Sequence, residues 1–368
     1  MSDRPARTEE EVLDAIERRR RRPVRKLLDD RITLSHGAGG KATHTLVEAL
    51  FLAELRNPLL EPLGDSAVFE AGADGAGGPR LAFSTDSYVV RPLFFPGGNI
   101  GELAVNGTVN DIAMSGARPL VLSAGFIIEE GFPIADLQRV VASMGAAARA
   151  AGVAVVTGDT KVVERGKADG LYINTAGIGV MEREFDLSPA AVRAGDRVLV
   201  SGTIGDHGTA VMIARGDLEL EVDLESDSAP LAELTAVLLD AVGDGVRCLR
   251  DPTRGGLATV LAELALETEL SIMIDEPALP IRPAVHGACE ILGLYPLYIA
   301  NEGKLAAIVA PEAAEAALAA LRSHPLGQDA AIVAEVREEP PGLVLLRTAI
   351  GGSRVVDMLA GDPLPRIC

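Results

Sequence analysis

Short apolar runs closed by Gly, Pro, Asp or Ser recur from Leu81 onward, and they predict alternating strands and helices. LAFSTDSYVV, PLVLSAGFII, VAVVTGDTKVV and YINTAGIGVM read as strands. Residues 99–116 read as a helix carrying small residues and 133–151 as an alanine-rich one. A second block opens near Gly195 with DRVLVSGTIGD, a buried strand running into a glycine turn. Helices are expected at 229–241, 255–267 and 311–322, interleaved with SIMIDE, AAIVA and AAIVAEV as strands. The blocks meet around 181–195, where EREFDLSPAAVRAGD supplies polar residues, a proline and a glycine. The pattern predicts a two-domain α/β (α+β) chain, each domain a sheet packed with helices.

Composition narrows the function. The 368 residues carry 34 Lys+Arg against 53 Asp+Glu, a net charge of −19, with aromatics at 3% and no Trp. That argues against nucleic acid and against an anionic membrane surface as partners. An acidic chain that holds phosphates needs local devices, such as metal ions or helix N-termini. Three cysteines, at 248, 289 and 368, have no zinc-like spacing. No signal peptide or membrane-length apolar run is present, so a cytoplasmic protein is expected. Residues 1–31 hold 10 Lys+Arg and 8 Asp+Glu, and read as a solvated basic extension.

Standard nucleotide signatures fail. HGAGGKA has a glycine-lysine without the P-loop spacing, and reads first as an ordinary glycine turn. Its Gly39, Gly40 and Lys41 could also form a mobile anion-binding loop. Asp65, Asp86, Asp111, Asp159, Asp206 and Asp251 all end apolar segments beside Gly, Ser or Thr. One such Asp is usually a turn former or helix cap, and that reading holds for Asp111 and Asp206. For Asp65, Asp86 and Asp159 a hard cation is favoured. Lys161 and Glu302 lie in otherwise uncharged runs, and are either strand-edge charges or a proton-transfer or phosphate-contacting pair. The chain ends PLPRIC, a proline-stiffened arm suited to presenting Cys368 as a nucleophile or carrier, whereas Cys248 and Cys289 read as core thiols.

HGAGGK, FSTDSYVV-PLFFPGGNIG, NGTVNDIAMSGA, VTGDTKVV, INTAGIG, SGTIGDHG, DPTRGG, NEGKL, SHPLG and the terminal PRIC together resemble the hydrogenase maturation proteins called HypE, or carbamoyl dehydratases. These belong to the aminoimidazole-ribonucleotide synthetase (PurM-like) superfamily. The resemblance runs from about Ile32 to Cys368. It implies an N-terminal PurM-like ATP-binding domain over 32–185, a C-terminal one over 186–358, and a mobile tail over 359–368. It implies a homodimer that uses ATP and Mg²⁺ to dehydrate an S-carboxamide on Cys368 to a thiocyanate. The carbamoyltransferase HypF would load the carbamoyl group, and the HypC–HypD scaffold would accept the cyanide. Carried over by motif, Cys368, Lys161 and Glu302 are catalytic. Gly39, Gly40, Lys41, Asp86, Asn110, Asp111, Gly158, Asp159 and Asp206 face the nucleotide, and Asp65, Asp86, Asp159 and Asp251 the metal. The first acidic motif, LGDSAV, has one carboxylate fewer than the family's usual Asp-Asp-Ala-Ala. The alternatives are a selenophosphate synthetase-like enzyme, a small-molecule kinase, or a non-catalytic maturation scaffold.

Overall fold

The structure is a computed structural model that describes all residues except 1–26, 28, 73–76, 186, 217–222, 360 and 362–365. Most of the basic extension, and both prolines of the terminal arm, therefore lie outside the described residues.

The first half forms a five-stranded sheet. In chain order the strands are β1 (Ala67–Glu70), β2 (Arg80–Tyr88), β5 (Ala117–Glu129), β6 (Ala154–Val163) and β7 (Leu171–Met181). A two-stranded ribbon, β3 (Phe94–Phe95) with β4 (Gly98–Asn99), precedes the first long helix. The sheet order is β1-β2-β7-β5-β6, with only β5 and β6 parallel. Helices α1 (Ile100–Met114) and α2 (Ile134–Ala150) cover one face. Asn99 starts α1 by accepting the Gly101 N–H at 2.8 Å. Nearly every residue of α1 is buried, because the sheet lies on one side and the second half on the other. Its small residues permit that double packing.

The second half is a seven-stranded sheet, order β14-β13-β10-β12-β8-β11-β9. Its strands are β8 (Arg197–Val200), β9 (Val246–Arg250), β10 (Ser271–Asp275), β11 (Ala306–Val309), β12 (Ala331–Arg337), β13 (Val344–Arg347) and β14 (Ser353–Val356). Val198, Val200, Ala306 and Ile308 face one core, while Leu199, Ala307 and Val309 face another. Burial on both faces is why these strands read as unbroken apolar runs. The described residues of this half form the helices α3 (Asp206–Arg215), α4 (Ala232–Val242), α5 (Gly256–Thr268), α6 (Pro283–Leu292) and α7 (Ala314–Ser323). The pattern reading placed α4, α5 and α7 within a few residues. Helices α3 and α6 are outside that expectation: α3 starts after a left-handed glycine and α6 on a proline. Helix α3 and the final Ile367–Cys368 join the apolar core of the first half. Among the described residues no helix is long and apolar enough to cross a membrane.

Candidate active site

The end of the chain is docked. The Val89 N–H donates to the terminal carboxylate of Cys368 and the Arg91 N–H to the carbonyl of Arg366, both at 3.1 Å. Arg366 returns a bond from Nε to the Val89 carbonyl at 2.9 Å, and its guanidinium pairs with Asp169. His207 Nε2 holds the Ile367 carbonyl at 3.0 Å. Each neutral bond of this kind is worth about 1 kcal/mol net, so the set is firm yet reversible. The terminal thiol, expected from the sequence to be presented on a proline-stiffened arm, is buried here.

The thiol faces the Glu302 carboxyl, with Arg254 and Asp86 beside it. Burial pushes the thiol pKa up, and the negative groups add to that while Arg254 opposes it. Docked Cys368 is thus a neutral thiol and a poor nucleophile. Glu302 precedes β11 and is held through its backbone. Its N–H donates to Asp227 Oδ1 at 3.1 Å, and its carbonyl accepts from Asn110 Nδ2 at 3.3 Å. Burial raises the Glu302 pKa well above the carboxylate range, and Asp251, Asp86 and Asp227 raise it further. Its Oε1 has no hydrogen-bond partner.

Four aspartates converge behind this pair from different elements. Asp65 precedes β1, Asp86 lies in β2, Asp111 in α1, and Asp251 follows β9. Burial, then Asp251, Asp65 and Asp86, raise the pKa of Asp111. Burial and Asp65 raise that of Asp251 to about 8. Arg250 pairs with Asp65 at 3.1 Å, Arg254 reaches Asp86 at 3.7 Å, and Ser84 donates to Asp111 at 2.6 Å. Asp251 Oδ2 is buried and unpartnered. Carboxylates that resist ionising together, one with an orphan oxygen, fit a hard cation such as Mg²⁺. As placed, among the described residues, no three acidic, His or Cys side chains are close enough together to ligate one ion.

The glycine loop closes the other side. Gly39 has φ +76°, and an added Cβ would lie 2.8 Å from Cβ of Arg254. A Cβ on Gly40 would come to 2.2 Å from the Leu359 carbonyl oxygen. Arg254 donates to the Gly37 carbonyl at 3.0 Å, and the Lys41 ammonium pairs with Asp357. A cavity of about 170 Å³ remains, lined by Gly37, Ala38, Val89, Arg254, Tyr298 and Cys368.

Several sequence candidates lie elsewhere. Asp159 and Lys161 stand on the exposed edge strand β6, paired with each other at 2.6 Å, and Lys161 is not among the charges acting on Glu302. Gly158 packs against β5, where a Cβ would come to 2.2 Å from the Ala124 carbonyl. The Asn110 amide is taken up by the backbone of Ala229, Leu231 and Glu302, so within this chain it joins the two halves. Asp206 is buried against Thr203 at 2.5 Å and Arg282 at 3.3 Å. Neither Asp111 nor Asp206 is a helix cap: Asp111 lies inside α1, and α3 is capped by Gly205 in the left-handed conformation. Arg254 and His207 were not singled out from the sequence. The only signal was a charged side chain inside each glycine-rich motif, DPTRGG and GDHG.

Comparison with known proteins agrees with this geometry. Residues 64–181 match the AIR synthase related protein N-terminal domain, and 193–345 its C-terminal domain. The carbamoyl dehydratase HypE of Bradyrhizobium diazoefficiens is 56% identical over 337 residues, covering 92% of this chain and 96% of the relative. A HypE–HypF complex superposes with a TM-score of 0.80 at 46% identity, over 85% of this chain and 99% of that one. Hydrogenase maturation protein HypE in complex with ATP gives 0.76 at 48%, over 92% and 100%. On two matched domains and more than half of its residues in common with such a relative, the chain belongs to the HypE family of carbamoyl dehydratases.

Proposed function

We propose that the chain carries an S-carboxamide on Cys368 and dehydrates it to a thiocyanate in the docked state, with Glu302 as the base. The observation that carries this reading is the burial of the terminal thiol against a carboxyl that is itself buried and half unpartnered. The related HypE bound to ATP supports nucleotide use here. Asp65, Asp86, Asp111 and Asp251 would hold Mg²⁺ with ATP, which would supply the phosphoryl group that converts the amide oxygen into a leaving group. Ionised in the field of that cation and of Arg254, Glu302 would remove one amide proton as the carbonyl oxygen bonds to the γ-phosphorus and the bond to ADP breaks. The second N–H proton would leave on the departing phosphate as the C–O bond cleaves, which gives the C≡N triple bond and inorganic phosphate. Arg254 stands where charge collects on the oxygen, and the closed glycine loop keeps out water that would hydrolyse the phosphorylated intermediate.

A docked neutral thiol cannot be loaded efficiently, so loading takes place with the tail released. The related HypE–HypF complex supports a carbamoyltransferase of that kind as donor, and a HypC–HypD scaffold would receive the cyanide. Three free cysteines suit a reducing cytoplasm. Among the described residues one sheet face is uncovered and exposes Phe83, Ile127 and Val155 beside the edge strand β6, which suits a homodimer. There Asp159, Lys161 and Gly158 would enter the site of the other copy.

Glu302→Gln tests the base. The variant should accept the carbamoyl group on Cys368, yet lose the mass of one water about 10²–10⁴ times more slowly than wild type when given Mg²⁺ and ATP. Dehydration at the wild-type rate would remove Glu302 from the mechanism.

A further inference from the structure

His207 has no part in the chemistry above, yet it is wholly buried, at the second position of α3 and edge-on to Phe95 at 5.4 Å. The Ile367 carbonyl, 3.0 Å from Nε2, can only accept, so Nε2 carries the hydrogen. Burial pushes the ring's pKa down, against the pull of Asp227, and keeps it neutral. Nδ1 must therefore accept, and Ser226 Oγ donates to it at 2.8 Å. Ser226 Oγ in turn accepts from the Ser228 N–H at 3.1 Å. The donors run one way, from Ser228 through Ser226 and His207 to the last peptide of the chain.

The same segment fixes the base. Asp227 takes the Glu302 N–H and is itself tied to Lys304 in a buried ion pair at 3.1 Å. Asn106 donates to Ser228 Oγ at 3.0 Å, and Asn110 bridges the carbonyls of Ala229 and Glu302. Residues 226–229 thus hold the Glu302 backbone and the His207 ring in one frame.

We propose that His207, oriented by Ser226, is a positioning residue that fixes the Ile367 carbonyl and so registers the group on Cys368 against Glu302. The proposal rests on the reading of Cys368 as the carrier. The His207 bond exists only with the tail docked, so its loss weakens the docked state and spares loading.

The test follows both steps on the full chain by intact mass: loading by the carbamoyltransferase, then loss of water in a single turnover with Mg²⁺ and ATP. His207→Leu should load at least as fast as wild type and dehydrate about tenfold more slowly, as expected for one buried hydrogen bond. Its thermal stabilisation by Mg²⁺ and ATP should match wild type. His207→Gln, whose amide N–H can still reach Ile367, should recover most of the rate. If His207→Leu does not fold, Ser226→Ala gives the answer, with intact loading and dehydration slowed about threefold through loss of the fixed tautomer. Wild-type dehydration in the variants would overturn the proposal. So would loading and dehydration falling together, or His207→Gln behaving like His207→Leu. A wild-type chain that loads but never loses water from Cys368 would overturn the carrier reading itself, before any variant is compared.

Discussion

At the residue scale, the site is dominated by acids that prefer to be neutral. Asp251 illustrates the consequence. Its pKa is raised by burial and by Asp65 to about 8. Between the ordinary carboxylate value and that figure the folded chain holds a proton the unfolded chain has lost. The neutral acid's stabilisation is therefore complete below about pH 4 and lost as pH rises toward 8. Asp111 and Glu302 shift in the same direction. Asp251→Asn should flatten the fall in Tm between pH 5 and pH 8 and raise Tm at pH 8 by a few degrees, while weakening binding of Mg²⁺ with ATP. Melting curves at the two pH values check this, and an unchanged pH slope would contradict the assignment. Cys368 and Glu302 stood out in the sequence because a terminal thiol on a proline-rich arm and an acid just before a buried apolar strand are unusual. Arg254 and His207 were not, because their importance comes from the tail folding back onto them. No local pattern records that contact.

At the element scale, β2, β5, β6, β7 and β8 were legible, as were β10, β11 and β12, whereas β1, β9, β13 and β14 and the helices α3 and α6 were not. Buried strands announce themselves as apolar runs, whereas α3 follows a left-handed glycine and α6 opens on a proline. Strand β6 was also read correctly as a strand, but the sequence could not show that it lies at an edge with its valines in solvent. This explains why Lys161 and Glu302 looked like partners. Within one chain they are apart, and the homodimer proposed above is what would bring Lys161 into use. Mixing an inactive Lys161→Ala chain with an inactive Glu302→Gln chain should restore about a quarter to a half of wild-type dehydration, because hybrid dimers then keep one intact site. No recovery on mixing, in a sample shown by sedimentation to contain hybrid dimers, would mean that Lys161 does not act across the interface.

At the scale of the whole molecule, the site exists only where the two halves and the C-terminus meet. The first half brings Asp86, Asp111 and the backbone of 89–91, and the second brings Asp251, Arg254, His207 and Glu302. The chain end closes the space between them. In a molecule of net charge −19, Arg250 and Arg254 are the cations the described residues pair with Asp65 and Asp86, so phosphate binding there would depend on added metal. The two other thiols compete poorly as carriers. Both are buried inside regular elements, Cys248 in β9 and Cys289 in α6, whereas Cys368 sits at the chain end. The most direct measurement is peptide mapping by mass spectrometry of the carbamoyl-loaded chain, before and after Mg²⁺ and ATP. The added group should sit on the C-terminal peptide, and that peptide alone should lose the mass of one water. A modification mapped to Cys248 or Cys289, or a loaded Cys368 that keeps its water, would contradict the account.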